Sequence, residues 1–271
     1  MELAYVVSAS PTRFEAVASG RDLESTIRQI AALGFDGVEL AIRDPALIDT
    51  ERIAALTADL GIRTPAIGTG QAYLEEGLSL ASPEAGVRDR AVTRLLAQVD
   101  VACRLGALLI VGLIHGPVPP RTDRARALEW LLGGLGRVAP AARGRGVRIV
   151  IEPINRYESN WLNTVDEVLD VVHRLGEDNV GVLPDTFHMN IEEVDLAAAV
   201  RRAGPRLWHV HVADSNRRAP GRGHLPFADV VSALTGIGYE GTVSAEIVPH
   251  PSVLDAARQT ITVMRALVPR A

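Results

Sequence analysis

A short apolar strand followed by an amphipathic helix recurs eight times along the 271-residue chain, and no segment is left over. The pattern predicts strands at residues 3–8, 37–42, 62–67, 107–113, 147–152, 180–185, 207–213 and 242–248. The helices predicted after them span residues 22–33, 50–60, 87–105, 124–143, 165–175, 194–203, 227–237 and 253–267. Such strict alternation is typical of parallel sheets built from strand–helix–strand crossovers.

The number of units selects among the folds of this class. Several predicted helices end at a glycine, as at Gly34, Gly61 and Gly106, and glycine is the usual residue where a helix turns back toward a sheet. Eight units favour a closed (β/α)8 TIM barrel over an open doubly wound sheet. No GxGxxG motif opens the first helix, which also argues against a dinucleotide-binding fold. We therefore predict an α/β protein with a single TIM-barrel domain over residues 1–271.

Charge and composition narrow the range of partners. The net charge is −5, and the 28 basic residues form no block, which disfavours nucleic acid as a partner. The single cysteine excludes an internal disulfide and a CxxC zinc site. No apolar run approaches the ~20 residues that cross a bilayer, and the N-terminus lacks a signal-peptide pattern. We expect a cytoplasmic protein with no membrane partner.

Acidic and imidazole side chains stand at the C-terminal ends of the last four predicted strands, where barrels of this kind carry their sites. Glu152 and Asp185 end the fifth and sixth strands, and His211 and Glu246 lie near the ends of the next two. Side chains alternate along a strand, and this alternation points Glu152, His211 and Glu246 inward. Three carboxylates cannot stay ionised together in a pocket without a cation. The sequence therefore predicts that these four residues bind a divalent metal ion.

The donor set indicates which ion is bound. Three carboxylates and one imidazole suit Mn²⁺, Mg²⁺ or Co²⁺ better than structural zinc, although zinc also binds histidine together with carboxylates. His209 shares the inward face with His211 but lies deeper along the strand. We expect it to be a hydrogen-bonded interior histidine and leave it out of the ligand set.

Longer motifs around these residues resemble a known superfamily. The segments EPINRYESNWLNT, DTFHMNIEE, HVHVADSNR, PGRGHLPF and SAEI are similar to those of the xylose-isomerase-like sugar isomerases and epimerases. DTFHMNIEE looks most like the 3-epimerases of D-tagatose, D-allulose and L-ribulose. In the N-terminal half, VVSASPTRFEAVA, VELAIRDPALID and AIGTGQAYLEEGLSL resemble the 5-keto-L-gluconate epimerases, which interconvert that keto acid and D-tagaturonate.

The resemblance implies roles for particular residues. It implies that a divalent metal, typically Mn²⁺, is bound by Glu152, Asp185, His211 and Glu246. Two of these ligands, Glu152 and Glu246, would also be the catalytic acid/base pair. Three further residues match positions that contact the hydroxyls and carbonyl of the sugar, namely Glu158, His188 and Arg217. A homodimer or homotetramer is expected from the resemblance alone.

One departure from the family pattern follows the seventh strand. The ketose 3-epimerases often carry Gly-Glu-Ala there, whereas this chain has Ala213, Asp214 and Ser215. The departure counts against the free ketoses as substrates, and it leaves the keto acids as the favoured class.

These residue types fit epimerisation next to a ketone. A proton leaves carbon, the charge of the resulting enediolate spreads over two oxygens that a divalent cation stabilises, and a proton returns to the opposite face. We expect a metal-dependent epimerase of a keto sugar acid, of the 5-keto-L-gluconate and D-tagaturonate type. The alternatives with related chemistry are a 3-epimerase of free ketoses and, with less support, an aldose–ketose isomerase. The alternatives from other classes of protein are an abasic-site endonuclease and a non-catalytic sugar-binding barrel.

A keto-acid substrate needs a cation for its carboxylate. Arg43, at the end of the second strand, is the candidate, with Arg217 and Arg218 as alternatives. The other interpretation of Arg43 is a salt bridge with Asp44 or Glu39. Residues 68–73 are interpreted as a lid or a wall of the pocket, against a purely structural turn.

Overall fold

The computed structural model describes residues 1–18 and 22–268. Within these residues the strands are β1 (Glu2–Ser8), β2 (Gly37–Ala41), β3 (Ala66–Gly68), β4 (Leu108–Val111), β5 (Ile149–Ile151), β6 (Val180–Val182), β7 (Val210–Val212) and β8 (Thr242–Ala245). The helices are α1 (Leu23–Ala32), α2 (Thr50–Asp59), α3 (Gly70–Glu76), α4 (Ala85–Leu105), α5 (Arg124–Arg143), α6 (Val165–Leu175), α7 (Thr186–Glu192), α8 (Leu196–Ala203), α9 (Phe227–Gly236) and α10 (Val253–Leu267).

The eight parallel strands form one sheet that closes on itself. Its order is β6-β5-β4-β3-β2-β1-β8-β7. Isolated parallel bridges then join Val182 to Leu207 and Asp185 to His211, so that the β6 side of the sheet meets the β7 side. The backbone N–H of His211 donates to the carbonyl of Pro184 at 3.0 Å across this seam. The predicted TIM barrel is confirmed.

Alternation along the strands divides the core into two layers. A small cluster consisting of Ala66, Leu108, Ile110, Val150 and Leu183 fills the barrel interior. The residues that alternate with them, such as Leu109 and Ile151, belong to the larger layer between strands and helices. Burial of each aliphatic side chain stabilises the fold by roughly 1.5–3 kcal/mol. A shift of a strand by one residue would exchange its two faces and lose this energy, so the alternation fixes which side chains point into the barrel.

The helices begin and end where local chemistry allows. Asp22 caps α1, because its side chain accepts the backbone N–H groups of Glu24 and Ser25. Gly106 follows α4 with a φ of 66°, a left-handed conformation that glycine adopts without steric cost. None of the helices in the described residues combines the length and the hydrophobicity that a membrane crossing requires.

The structure differs from the sequence prediction in detail. The strands β5, β6 and β7 have three residues each, fewer than predicted. The helices α3 and α7 were not predicted. The residue before α3, Thr69, makes no side-chain capping hydrogen bond, whereas α7 is capped by Asp185, which the sequence marks as a strand end. Residues 68–71 line the mouth of the barrel together with Leu74 of α3, so this segment is a wall of the pocket.

Candidate active site

The four predicted metal ligands converge at the C-terminal mouth of the barrel. Glu152 directly follows β5, Asp185 starts α7 after β6, His211 lies in β7 and Glu246 directly follows β8. One ligand atom from each of them lies within 4.8 Å of all the others. Four neighbouring strands therefore present one imidazole and three carboxylates to a common point.

Three atoms of this cluster are buried without a hydrogen-bond partner. They are Oε1 of Glu152, Oδ2 of Asp185 and Nδ1 of His211. The other oxygen of Asp185 accepts the backbone N–H of Phe187 at 2.8 Å, so only its free oxygen remains for a ligand. Unpaired buried charges cost several kilocalories per mole unless a counter-ion meets them. The orphaned atoms and the donor set fit a divalent cation.

The electrostatics of the cluster lead to the same conclusion. Burial raises the pKa of Asp185 to about 6. Burial, followed by the neighbouring charge of Glu152, raises the pKa of Glu246 to about 8, although His211 and Arg217 oppose the shift. With such a value Glu246 retains its proton near neutral pH, whereas Asp185 holds one only below about pH 6, and a bound cation favours the ionised forms of both.

A buried carboxylate orients the histidine of the cluster. Nε2 of His211 lies 2.9 Å from Oε1 of Glu39, and Nε2 of His209 lies 2.7 Å from Oε2 of the same residue. Because Nε2 is the donor in each pair, Nδ1 of His211 is the nitrogen that faces the cluster, 3.3 Å from Oε1 of Glu152. Burial lowers the pKa of His211, but Glu39, Glu152 and Glu246 raise it above its usual value, so a bound cation would take the place of the proton on Nδ1. Burial alone would raise the pKa of Glu39, but the two histidines hold it well below its usual value. This arrangement is the one by which carboxylates orient metal-binding histidines.

Glu39 is a site residue that the sequence prediction missed. It lies in the middle of β2 and is 1% exposed. The available signal was a glutamate inside the apolar strand GVELA. The prediction that His209 is a hydrogen-bonded interior histidine agrees with its contact to Glu39.

The residues expected to contact a sugar lie beside the cluster. Arg217 donates to Oε1 of Glu158 at 2.8 Å and to Oε2 of Glu246 at 3.2 Å. Its guanidinium lies 4.8 Å from the ring centroid of Phe187 and 5.1 Å from that of Phe14. The two aromatic rings and two carboxylates therefore hold the guanidinium in one orientation.

His188 faces the cluster with its Nε2, and Asn155 sets this orientation. Nδ2 of Asn155 lies 2.7 Å from Nδ1 of His188 and also donates to Oε1 of Glu158 at 2.8 Å. Nδ1 of His188 is thus the acceptor, and the ring proton is on Nε2, which lies 4.0 Å from Oε1 of Glu152 and 3.9 Å from Oδ2 of Asp185. Burial holds the pKa of His188 well below its usual value, so a neutral N–H donor points into the site.

Arg43 is not brought to this site. It is absent from the described residues that line the mouth of the barrel. Its Nε lies 3.7 Å from Oε1 of Glu76, so neither Asp44 nor Glu39 is its partner. The lining of the pocket also includes apolar residues, and we call Val6, Phe14, Ala41, Leu74 and Leu113 the apolar wall.

A TIM barrel with a cluster of carboxylates and an imidazole at its mouth is typical of enzymes, whose active sites lie at the C-terminal ends of the strands in this fold. The family model described as "Xylose isomerase-like TIM barrel" matches residues 27–267. The chain belongs to this family.

Individual relatives share most of the chain. L-ribulose 3-epimerase of Mesorhizobium japonicum is 35% identical over 231 residues, which cover 83% of this chain and 75% of that protein. D-psicose 3-epimerase of Agrobacterium fabrum is 35% identical over 231 residues, 81% of this chain and 77% of that protein. The solved structure of D-psicose 3-epimerase with D-tagatose from Clostridium cellulolyticum H10 has a TM-score of 0.84 at 26% identity and covers 100% of both chains.

Proposed function

We propose that the protein is a metal-dependent 3-epimerase of free ketoses such as L-ribulose, D-psicose (D-allulose) and D-tagatose. The chain is an isomerase of the sugar epimerase class, as its relatives are. The observation that carries the proposal is the convergence of Glu152, Asp185, His211 and Glu246 within 4.8 Å at the mouth of the barrel. This reaction replaces the keto-acid reaction that the N-terminal motifs predict, because the relatives are ketose epimerases.

The two glutamates of the cluster fit the two proton transfers of an epimerisation. Glu152 and Glu246 reach the pocket from β5 and β8. One carboxylate removes the proton from the carbon beside the ketone, and the other delivers a proton to the opposite face. A divalent cation held by the four-residue cluster, when bound, supplies positive charge that stabilises negative charge on the substrate oxygens.

Neighbouring residues orient the sugar. The N–H of His188 donates toward a substrate oxygen, because Asn155 occupies the other ring nitrogen. Glu158 and Arg217, which are hydrogen bonded to each other, offer an acceptor and a donor to hydroxyl groups. The rings of Phe14 and Phe187 keep Arg217 in place and limit the entry of water.

The charge balance of the pocket supports a neutral substrate. Among the described residues that line it, Arg217 is the only arginine. Its two terminal nitrogens are already paired with Glu158 and Glu246, and within residues 1–18 and 22–268 only Nε is left without a partner. A substrate carboxylate would therefore enter a pocket rich in carboxylates, where the one arginine already has its charge balanced by two glutamates, which costs free energy.

A substrate panel tests the proposal. We would measure kcat/KM of the Mn²⁺-loaded protein on L-ribulose, D-allulose, D-tagatose, 5-keto-L-gluconate and D-tagaturonate. The expected result is epimerisation at C3 of at least one ketose, with kcat/KM roughly 10-fold or more above that of either keto acid. Higher kcat/KM on the keto acids would contradict the assignment. A product in which the carbonyl has moved would indicate an aldose–ketose isomerase.

Substitution of the two proposed acid/base residues tests the mechanism. Glu152→Gln and Glu246→Gln should each lower kcat roughly 100- to 10,000-fold, since each removes one of the two proton-transfer groups. Glu129→Gln is a matched control, because Glu129 lies on the surface of α5 with its side chain 64% exposed. Retention of full activity by either pocket variant would remove that glutamate from the mechanism.

A further inference from the structure

We propose that Gln71 is a specificity-determining residue that accepts a hydrogen bond from a substrate hydroxyl remote from the reacting carbon. The inference rests on the proposed ketose epimerase function and deepens it. Gln71 is in α3, lines the pocket beside the apolar wall and is 2% exposed. It lies in the segment of residues 68–73 that the sequence analysis interprets as a lid or a wall of the pocket, but no individual role was predicted for it.

The amide of Gln71 is held at one end only. Its Nε2 donates to Oγ of Ser8 at 2.8 Å, whereas its Oε1 is buried and has no hydrogen-bond partner. The neighbouring Thr69, which also lines the pocket, donates its hydroxyl to the carbonyl of Ile110 at 2.7 Å. Within the described part of the chain, Oε1 of Gln71 is therefore an acceptor that no protein group uses.

The hydrogen bonds of Ser8 settle which end of the amide is free. Oγ of Ser8 makes a short hydrogen bond with the carbonyl oxygen of Ser10. A carbonyl carries no hydrogen, so the Ser8 hydroxyl must donate its only proton there. Oγ of Ser8 can then only accept from Gln71, which requires Nε2 to face Ser8 and Oε1 to face away. The hydrogen bonds of Ser8 therefore fix the orientation of the Gln71 amide.

An unpaired buried carbonyl selects for donors. A hydroxyl group can satisfy Oε1 of Gln71, whereas a carboxylate offers no proton and its charge is repelled by the amide oxygen. In this proposal the reacting carbons of the sugar lie beside Glu152 and Glu246, and Gln71 accepts a hydrogen bond from a hydroxyl on a carbon other than C2 and C3. The residue therefore favours a free ketose over the corresponding keto acid.

The test combines a near-isosteric variant with substrates that lack one hydroxyl. We would measure kcat/KM of the wild-type holoenzyme and of Gln71→Met on a ketose and on its analogues deoxygenated at single positions remote from C2 and C3. The wild type should lose roughly 10- to 100-fold on one of these analogues, because the buried acceptor is then left unpaired. Gln71→Met should lose most of that discrimination, with ratios within about 3-fold of one another.

Gln98 offers a matched control. Its Nε2 donates to the carbonyl of Ile42 at 2.8 Å, its Oε1 is also buried without a partner, and it is 0% exposed. It lies in α4 and does not line the pocket. Gln98→Met should therefore disturb packing to a similar degree while keeping the wild-type ratio between the ketose and its deoxy analogues.

The outcomes separate the inference from the function on which it rests. If the wild type epimerises no ketose, the proposed function fails. If the wild type epimerises ketoses but Gln71→Met keeps the wild-type discrimination, only the role of Gln71 is overturned. Should Gln71→Met not fold, the wild type decides alone, since equal kcat/KM on the ketose and on every deoxy analogue would contradict the proposal.

Discussion

Glu152 owes its position to the absence of a side chain at Gly112, the residue after β4. A Cβ atom built on Gly112 would lie 2.6 Å from Oε2 of Glu152, closer than real contacts allow. Any other residue at position 112 would displace the carboxylate from the cluster. Glycine allows this close approach because it has no Cβ atom.

Gly112→Ala should therefore lower kcat/KM roughly 10-fold or more, because positioning errors of this size are costly in an active site. Gly133→Ala is the control, since a Cβ at Gly133 of α5 meets nothing within 4 Å. That substitution should leave activity unchanged and stabilise the helix by roughly 0.5–1 kcal/mol. Equal activity of the two variants would show that Gly112 does not position Glu152.

A buried histidine outside the pocket makes the free energy of unfolding depend on pH. His115 is 0% exposed, and burial lowers its pKa to about 4. In the unfolded chain His115 binds a proton with the ordinary histidine pKa of about 6.5, whereas burial in the folded protein opposes protonation. The stability that His115 contributes is therefore fully present above about pH 6.5 and is lost as the pH falls toward 4.

The expected loss attributable to His115 between pH 7 and pH 5 is roughly 2 kcal/mol. Urea unfolding of the wild type and His115→Gln at the two pH values would measure it. The variant should be less stable at pH 7 but should show a smaller decrease between pH 7 and pH 5. His173→Gln, at an exposed position of α6, should follow the wild-type slope. Identical slopes for the wild type and His115→Gln would contradict the assignment.

At the scale of elements, the segment between β7 and α9 depends on one aspartate. Oδ1 of Asp214 accepts the backbone N–H groups of Ser215 and Leu225 at 2.8 and 3.1 Å, and Oδ2 accepts that of Gly221 at 2.8 Å. Burial would raise the pKa of Asp214, but these donors lower it. The segment includes Arg217, which has a positive φ of 58°. The carboxylate thus holds the loop in the conformation that directs Arg217 into the pocket.

Asp214→Ala should reduce the free energy of unfolding by roughly 2–4 kcal/mol, because several buried charge-assisted hydrogen bonds are lost. It should also raise KM more than it lowers kcat, since Arg217 loses its orientation. Denaturant unfolding and steady-state kinetics measure the two effects. Glu240→Ala, at an exposed position ahead of β8, should change neither quantity. Unchanged KM in Asp214→Ala would contradict the link between the loop and Arg217.

Sequence periodicity predicted the elements because each unit is local. Strand alternation and glycine helix ends are read within a few residues, and the inward direction of Glu152, His211 and Glu246 follows from them. The contact between Glu39 and His209 could not be read in this way, since it joins residues 170 positions apart. The helix α7 was not predicted because its cap, Asp185, was assigned as the end of the sixth strand. What the sequence leaves open is therefore long-range pairing.

At the scale of the whole molecule, the barrel gathers a negative cluster that a cation should stabilise. Binding to the folded protein alone raises its stability by mass action, by about 2.7 kcal/mol at a ligand concentration 100 times the Kd. MnCl2 should therefore raise the Tm of the chelator-treated protein by roughly 5 °C or more. Asp185→Asn should abolish this rise, whereas Asp170→Asn, on the exposed face of α6 with its side chain 53% exposed, should retain it. A rise that persists in Asp185→Asn would place the ion elsewhere.

The central claim is that the protein removes and returns a proton at one carbon of a ketose. Incubation of the Mn²⁺-loaded protein with D-allulose in D₂O, followed by NMR of the sugars, tests it most directly. The account predicts a C3 epimer with deuterium at C3 and at no other carbon, and loss of this product in Glu152→Gln and Glu246→Gln. An epimer that retains its original hydrogen at C3, or deuterium at C1 instead, would contradict it.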